Sequence, residues 1–247
     1  RVRHIDTRAA FAVSGVAGIL TADELPIVRP DPDPTGAEES EDGERALTNE
    51  PVFEGEPILA VAAVDETTAA EAIEKIKVDL ERLPFVIDPI DSLRPGGPDA
   101  RTTGNVFTVG GGIKRVKWTS RDMQEVAAGR IPWNAEAGQE TAVGAVDAGF
   151  KQADLILDET LFQQTTAHQP LESRSAMAYW RNGKLHLHGS TQSVAQTIPF
   201  VARWVGIEPS QVVLVSEYCG GGFGSKALGA NSMAIPALLS KKTGRPV

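Results

Sequence analysis

From Gln211 to Ala227 the sequence reads Gln-Val-Val-Leu-Val-Ser-Glu-Tyr-Cys-Gly-Gly-Gly-Phe-Gly-Ser-Lys-Ala. A β-branched strand thus feeds a loop with glycine at 220, 221, 222 and 224. Glycine takes positive φ without steric cost and removes the Cβ, so such a loop can lie against a ligand and turn backbone N–H groups toward an anion. A plain turn needs one glycine, and Phe223 is out of place at its tip. The spacing predicts a ligand-cradling loop. It is not a P-loop, because Lys226 follows Ser225 where lysine must precede Ser or Thr. Gly222, Gly224 and Ala227 satisfy a loose Gly-x-Gly-x-x-Ala after a strand. However, the acid that a dinucleotide-binding fold places about twenty residues on is replaced by Lys241 and Lys242.

Other chemistry-bearing residues are weaker candidates. His186 and His188 share one strand face, and His168 and Glu172 lie upstream, a set from which a metal site could be drawn. No helical His pair supports it, and two histidines on a hairpin strand read first as an exposed face. Cys219 is the only cysteine, which excludes an internal disulfide and cannot by itself hold an iron–sulfur cluster. Beside the glycine loop it reads as a small filler rather than a nucleophile.

Periodicity places these residues on elements. Val2 and Ile5 mark a strand, Asp6 or Thr7 can cap an Ala-rich turn that ends at Gly15, and Val16 to Leu20 forms a second strand. The continuous apolar run Ile58 to Val64 predicts a central strand. Thr68 and Glu71 form a capping box, with Ala69, Ala72, Ile73 and Ile76 on one helical face, and Val78, Leu80 and Arg82 alternate until Pro84. Arg94-Pro95-Gly96-Gly97-Pro98 then closes a first domain over residues 1–98.

Residues 99–140 carry Gly110-Gly111-Gly112, the basic Lys114, Arg115 and Lys117, and Trp118 and Trp133. A basic patch beside an aromatic can take a phosphate, but without a motif the stretch reads as a solvated linker. In the second domain, 141–247, the pattern predicts a helix over 143–153 and a strand over 154–162. A hairpin turning at Asn182-Gly183 follows, then a helix through Val194, Ile198, Val201 and Val205 that Pro199 either kinks or begins. The last helix runs from Ala234 to Lys242 with Pro236 inside. The fold class is α+β.

A chain of 247 residues with 41% hydrophobic content can bury a sizeable core, and its net charge of −9 argues against a nucleic-acid or anionic-membrane surface. Its longest charge-free apolar run, Ala9 to Ala22, is too short to span a bilayer. Asp31 to Glu44 holds seven acids and no Lys or Arg, the composition of a solvated loop. One cysteine and no visible leader fit a reducing, cytoplasmic setting.

Four segments taken together carry a family likeness: His168-Gln-Pro-Leu-Glu172, Ser190-Thr191-Gln192, Gly220-Gly-Gly-Phe223-Gly224-Ser-Lys226 and Lys242-Thr-Gly-Arg-Pro-Val247. They resemble the large subunit of the molybdenum hydroxylases, the xanthine dehydrogenase and aldehyde oxidase family. Glu54-Gly-Glu-Pro57 before an apolar strand is similar to that family's α/β-hammerhead domain. The resemblance implies a hammerhead domain over 1–98, a linker or insertion over 99–140, and the first part of a mixed α/β molybdenum-cofactor-binding domain over 141–247.

It also implies a molybdenum–molybdopterin cofactor in its cytosine dinucleotide form. FAD and 2Fe-2S clusters would sit on partner chains or domains, and the assembled enzyme would be a dimer. Gln192 and Phe223 would lie beside the molybdenum without ligating it, and Gly221, Gly222 and Gly224 would face the cofactor. Glu172 would be a structural hydrogen-bonding acid. The catalytic base is expected beyond Val247, in the remainder of the large subunit, so the isolated chain would be inactive. Purine-oxidising members carry an acid after the loop lysine; Ala227 there points instead to an aldehyde or an N-heteroaromatic. A non-catalytic assembly module of the same fold, and a nucleotide-binding oxidoreductase using Gly222, Gly224 and Ala227, are the competing readings.

Overall fold

The computed structural model describes residues 1–26, 46–99, 117–130, 143–157, 159, 166–227 and 231–247, and the backbone of 106–109 and 112–115. The acidic stretch Asp31 to Glu44 and Trp133 lie outside the described residues. Two compact units are present. The first is assembled from three separate segments, Arg1–Arg29, Asp42–Leu83 and Thr166–Val247; the second comprises Pro30–Glu41 and Pro84–Thr165. No helix among the described residues is long and apolar enough to cross a membrane.

In the first unit β1 (Val2–Asp6) pairs antiparallel with β4 (Lys77–Leu80), and β2 (Val16–Thr21) pairs antiparallel with β3 (Leu59–Ala63). The run at 58–64 was expected to be a central strand. Among the described residues β3 pairs with β2 alone, and the reason for its apolar character is different. Ile19 and Val61 face a small core with Ala10 and Ala72, from α1 (Arg8–Phe11) and α2 (Glu66–Lys75), whereas Leu20, Ala60 and Ala62 face the main core. A two-stranded ribbon buried on both faces loses the period-two pattern just as a central strand does. The capping box also shifts: Asp65, not Thr68, is the N-cap of α2, its carboxylate accepting from Thr68 N at 2.8 Å. Aspartate at that place starts the helix three residues before the expected cap.

The second unit contains α3 (Pro89–Leu93), the hairpin β5 (Val106–Val109) and β6 (Gly112–Arg115), α4 (Ser120–Ala127) and α5 (Val146–Gln152). The stretch expected to be a linker therefore holds a hairpin and a helix, the latter opened by a Thr119–Asp122 capping box. Lys117 is not available for a phosphate. Its ammonium donates to the carbonyls of Ser92, Gly97 and Pro98 at 2.5–3.0 Å and pairs with Asp99 at 2.9 Å, pinning the Pro/Gly-rich turn. Of the strand expected over 154–162, residues 154–157 form no ladder among the described residues and expose Leu155, Ile156 and Leu157, and 158 and 160–162 lie outside the described residues.

The first unit is completed by a three-stranded sheet in the order β7 (Ala176–Arg181), β8 (Lys184–Gly189), β9 (Val212–Val215). Asn182 (φ 51°) and Gly183 (φ 72°) make the tight turn between β7 and β8, both in the left-handed region that an Asn-Gly pair tolerates. From β8 the chain crosses through α6 (Val194–Val205) to β9, which lies parallel to β8. Ser193 caps α6 by accepting from Gln196 N, and Gly206 in the left-handed conformation ends it; Pro199 lies within the helix, not at its start.

Helix α7 (Asn231–Thr243) packs across β7 and β2. Its Ala234, Ala237, Leu238 and Leu239 share one core with Leu185, Leu187, Val201 and Val205 from the sheet and α6, and with Leu20, Leu47 and Ala62 from the N-terminal segments. Lys242 bridges back to the carbonyl of Ile19 at 2.5 Å and to Glu24. Val247 makes a two-way backbone bridge with Ala178 on β7.

Candidate functional site

The strand β9 ends at Val215, and the glycine loop begins at Gly220, with four residues between. Gly221 (φ 99°) and Gly224 (φ 100°) occupy conformations closed to other residues, and Phe223 stands at φ 54° although it carries a Cβ. Such a backbone persists only where its surroundings over-determine it. Here they do so from two sides.

On one side is Gln192, in the connection between β8 and α6. Its Oε1 accepts from Gly224 N at 2.9 Å and Lys226 N at 3.2 Å, while its own N–H donates to the Lys226 carbonyl at 2.8 Å. Gly222 is buried against the same side chain, and a Cβ at that position would lie 2.2 Å from Gln192 Oε1. Thr191 adds a third hold: its hydroxyl donates to the Lys226 carbonyl at 2.9 Å and meets the Thr197 hydroxyl at 2.7 Å.

On the other side is the segment His168 to Glu172. The Glu172 Oε2 accepts from Gly220 N at 2.6 Å and pairs with the Lys226 ammonium at 2.6 Å. Lys226 also donates to the Glu172 carbonyl at 3.0 Å. The Lys226 ammonium first, and the Gly220 N–H after it, hold the Glu172 carboxyl below its usual range against the opposing effect of burial. Glu172 is thus ionised and spent on structure. His168 and Pro170 approach the same loop, at Gly224 and Gly221 respectively.

All five residues singled out for cofactor binding come together in this one cluster. Because Gln192 Oε1 faces inward on the loop, its Nε2 makes no hydrogen bond among the described residues, nor do the N–H groups of Gly221, Gly222 and Phe223. The Ser225 hydroxyl is buried and likewise without a partner among them. Phe223, Tyr218 and Leu171 are exposed, the first two at 73% and 83%. The cluster therefore presents unpartnered donors beside apolar side chains, a composition that suits an oxygen-rich, partly apolar group such as a pterin-bound oxo-metal centre.

The histidine alternative fails on geometry. Tyr179 stacks on His186 at 4.8 Å and on His188 at 6.0 Å, so both rings are packed on an aromatic neighbour. No three His, Cys, Asp or Glu side chains come together as metal ligands among the described residues. Cys219 is exposed rather than a buried filler.

The sequence reading missed Lys226 and Thr191 as members of the site. Glu172 and Lys226 are 54 residues apart, and no spacing rule joins a loop lysine to an acid on a different segment. The Thr191 side chain could have been noticed only as part of the Ser190-Thr191-Gln192 segment.

Residues 131–247 match the molybdopterin cofactor-binding domain, and residues 1–84 match the α/β hammerhead domain of aldehyde oxidase and xanthine dehydrogenase. The chain belongs to the aldehyde oxidase and xanthine dehydrogenase family. Over its whole length it is 31% identical to the carbon monoxide dehydrogenase large chain of Hydrogenophaga pseudoflava, covering 29% of that protein. It is 30% identical to the aldehyde oxidoreductase of Megalodesulfovibrio gigas, covering 25% of it. Among solved structures, the aldehyde oxidoreductase of Desulfovibrio gigas aligns over 100% of this chain and 25% of its own, with a TM-score of 0.71 at 25% identity. The chain thus spans between a quarter and a third of the length of these relatives.

Proposed function

We propose that residues 1–247 form one wall of the molybdenum-cofactor site of an oxidoreductase that hydroxylates an aldehyde or N-heteroaromatic with oxygen derived from water. The observation that carries this reading is the orientation of Gln192. By giving its Oε1 to the loop, it leaves Nε2 and the N–H groups of Gly221, Gly222 and Phe223 as pre-aimed donors. When bound, the molybdenum–pterin group supplies the redox centre at which the substrate carbon is oxidised.

The chain's own contribution is electrostatic and steric. Donors held in place beforehand stabilise negative charge that develops on oxygen without reorganising during the reaction. Phe223 supplies an apolar surface that excludes water from that oxygen. Glu172 is a poor base, since Lys226 Nζ and Gly220 N stabilise its ionised form and hold its proton affinity down. The base is accordingly placed in the remainder of the large subunit, and residues 1–247 alone are inactive. The cofactor is the cytosine dinucleotide form, and electrons leave through 2Fe-2S and FAD partners in a dimeric cytoplasmic assembly. The hammerhead domain covers 1–98, and the cofactor region starts at 141. The names of the relatives, an aldehyde oxidoreductase and a carbon monoxide dehydrogenase large chain, support this class of chemistry, and Ala227 after the loop lysine supports a non-purine substrate.

Gln192→Glu in the complete enzyme separates the two ends of the side chain. The carboxylate keeps an acceptor for Gly224 N and Lys226 N but has no N–H to offer outward. Molybdenum content is expected to stay at the parent level while turnover falls by roughly tenfold to a thousandfold, the scale of losing one such donor. Parental turnover with full metal would remove Gln192 from the site.

A further inference from the structure

Lys226 is 3% exposed, and all of its polar groups are committed: N–H to Gln192 Oε1, carbonyl to Gln192 N and Thr191 Oγ1, and ammonium to Glu172. A buried ammonium is tolerated only with a close counter-charge, and Glu172 provides it from the segment that also brings His168 and Pro170 against the loop. The same carboxylate oxygen receives Gly220 N. One acid therefore fastens both ends of the stretch 220–226. Between those ends lie Gly221, Phe223 and Gly224 at positive φ, a backbone that would relax if either end were released. The fit at Gly220 is equally close, since a Cβ there would lie 2.7 Å from Glu172 Cβ.

We propose that Glu172 and Lys226 form a positioning clamp that sets the direction of the N–H groups of residues 221–223. Neither residue touches substrate or cofactor; both act through the loop. The compact ammonium suits this place because it reaches the carboxylate and the carbonyl of one residue together, at 2.6 and 3.0 Å. The catalytic consequence rests on the cofactor-site reading above, whereas the clamp itself does not.

The test is a double-mutant cycle in the complete enzyme, with Glu172→Gln, Lys226→Met and the pair together. Hydrogen exchange of the peptide covering 218–227 is read beside the β7–β8 hairpin, molybdenum content, kcat and KM. Each single variant is expected to speed exchange in 218–227 by about tenfold or more, the scale of one charge-assisted hydrogen bond, with the hairpin unchanged. In each, kcat falls more than KM changes. The double variant, which leaves no unpaired buried charge, should lie closer to the parent than the two single effects combined. Unchanged loop exchange, equal acceleration of the hairpin, or strictly additive effects would each overturn the clamp. A loosened loop with parental metal and turnover would uphold the clamp and overturn the cofactor-site reading instead.

Discussion

Gly222 shows how far a single missing carbon can matter. The space a Cβ would need is filled by the Gln192 carboxamide, 2.2 Å from where that carbon would stand. Gly222→Ala must therefore expel Gln192 and cost Gly224 N and Lys226 N their acceptor. Gly222 is buried and two N–H groups lose their acceptor, so thermal stability should fall by about 1 kcal/mol or more, while turnover in the complete enzyme drops by at least about tenfold; parental kcat in the Gly222→Ala enzyme would mean that Gln192 need not stay where it is. That Gln192, Gly221, Gly222, Phe223 and Gly224 belong to one cluster was legible from glycine density and the resemblance. What could not be read was which end of the Gln192 amide faces the loop, because a side chain's orientation follows from neighbours brought in by folding. Lys226 was hidden for the same reason: as a sequence feature it only excluded a P-loop, and its partner became evident once Glu172 was placed beside Gly220.

Among the elements, α6 does most to place Thr191 and Gln192, since its N-terminal cap follows them directly. Ser193→Ala removes the acceptor for Gln196 N and should cost about 1 kcal/mol. Gly206→Ala puts a Cβ on a residue at φ 71°, only 3.0 Å from Pro26, and should cost about as much or more. Urea unfolding of the complete enzyme would show each as a lower midpoint with an unchanged slope.

Elements with local signals were read correctly. The Asn182-Gly183 hairpin and the stop at Gly206 are instances, because turn and cap chemistry are written within a few residues. Those whose character depends on distant segments were not. β3 looked central because both of its faces are covered, one by the small core of Ala10 and Ala72 and the other by the main core that α7, far along the chain, helps to build. The stretch 154–157 looked like a strand because β-propensity says nothing about whether a partner exists.

For the molecule as a whole, the ion pair between Glu24 and Lys242 ties the N-terminal ribbon to α7. Burial pushes the Glu24 carboxyl up, but Lys242 and the N–H and hydroxyl of Thr21 outweigh it, so the net shift is downward. A carboxylate lowered on folding stabilises the protein above its unfolded value, about 4.3, and that contribution is lost as pH falls through the folded value. Glu24→Gln should thus lower the melting temperature at pH 7 and by less at pH 3, measured by paired thermal scans. Equal destabilisation at both pH values would assign Glu24 a packing role only.

The first unit, moreover, is stitched from three segments separated by the second, so its main core needs Leu20 and Ala62 from one end of the sequence and Ala237 and Leu238 from the other. At ribosomal rates of about 5–20 residues per second, the β2–β3 ribbon waits roughly 9–36 s for α7 to be made. Through that interval one apolar face stays open on a nascent chain, which makes this family domain a natural client for chaperones and gives the order of synthesis, as much as the final contacts, a say in its yield.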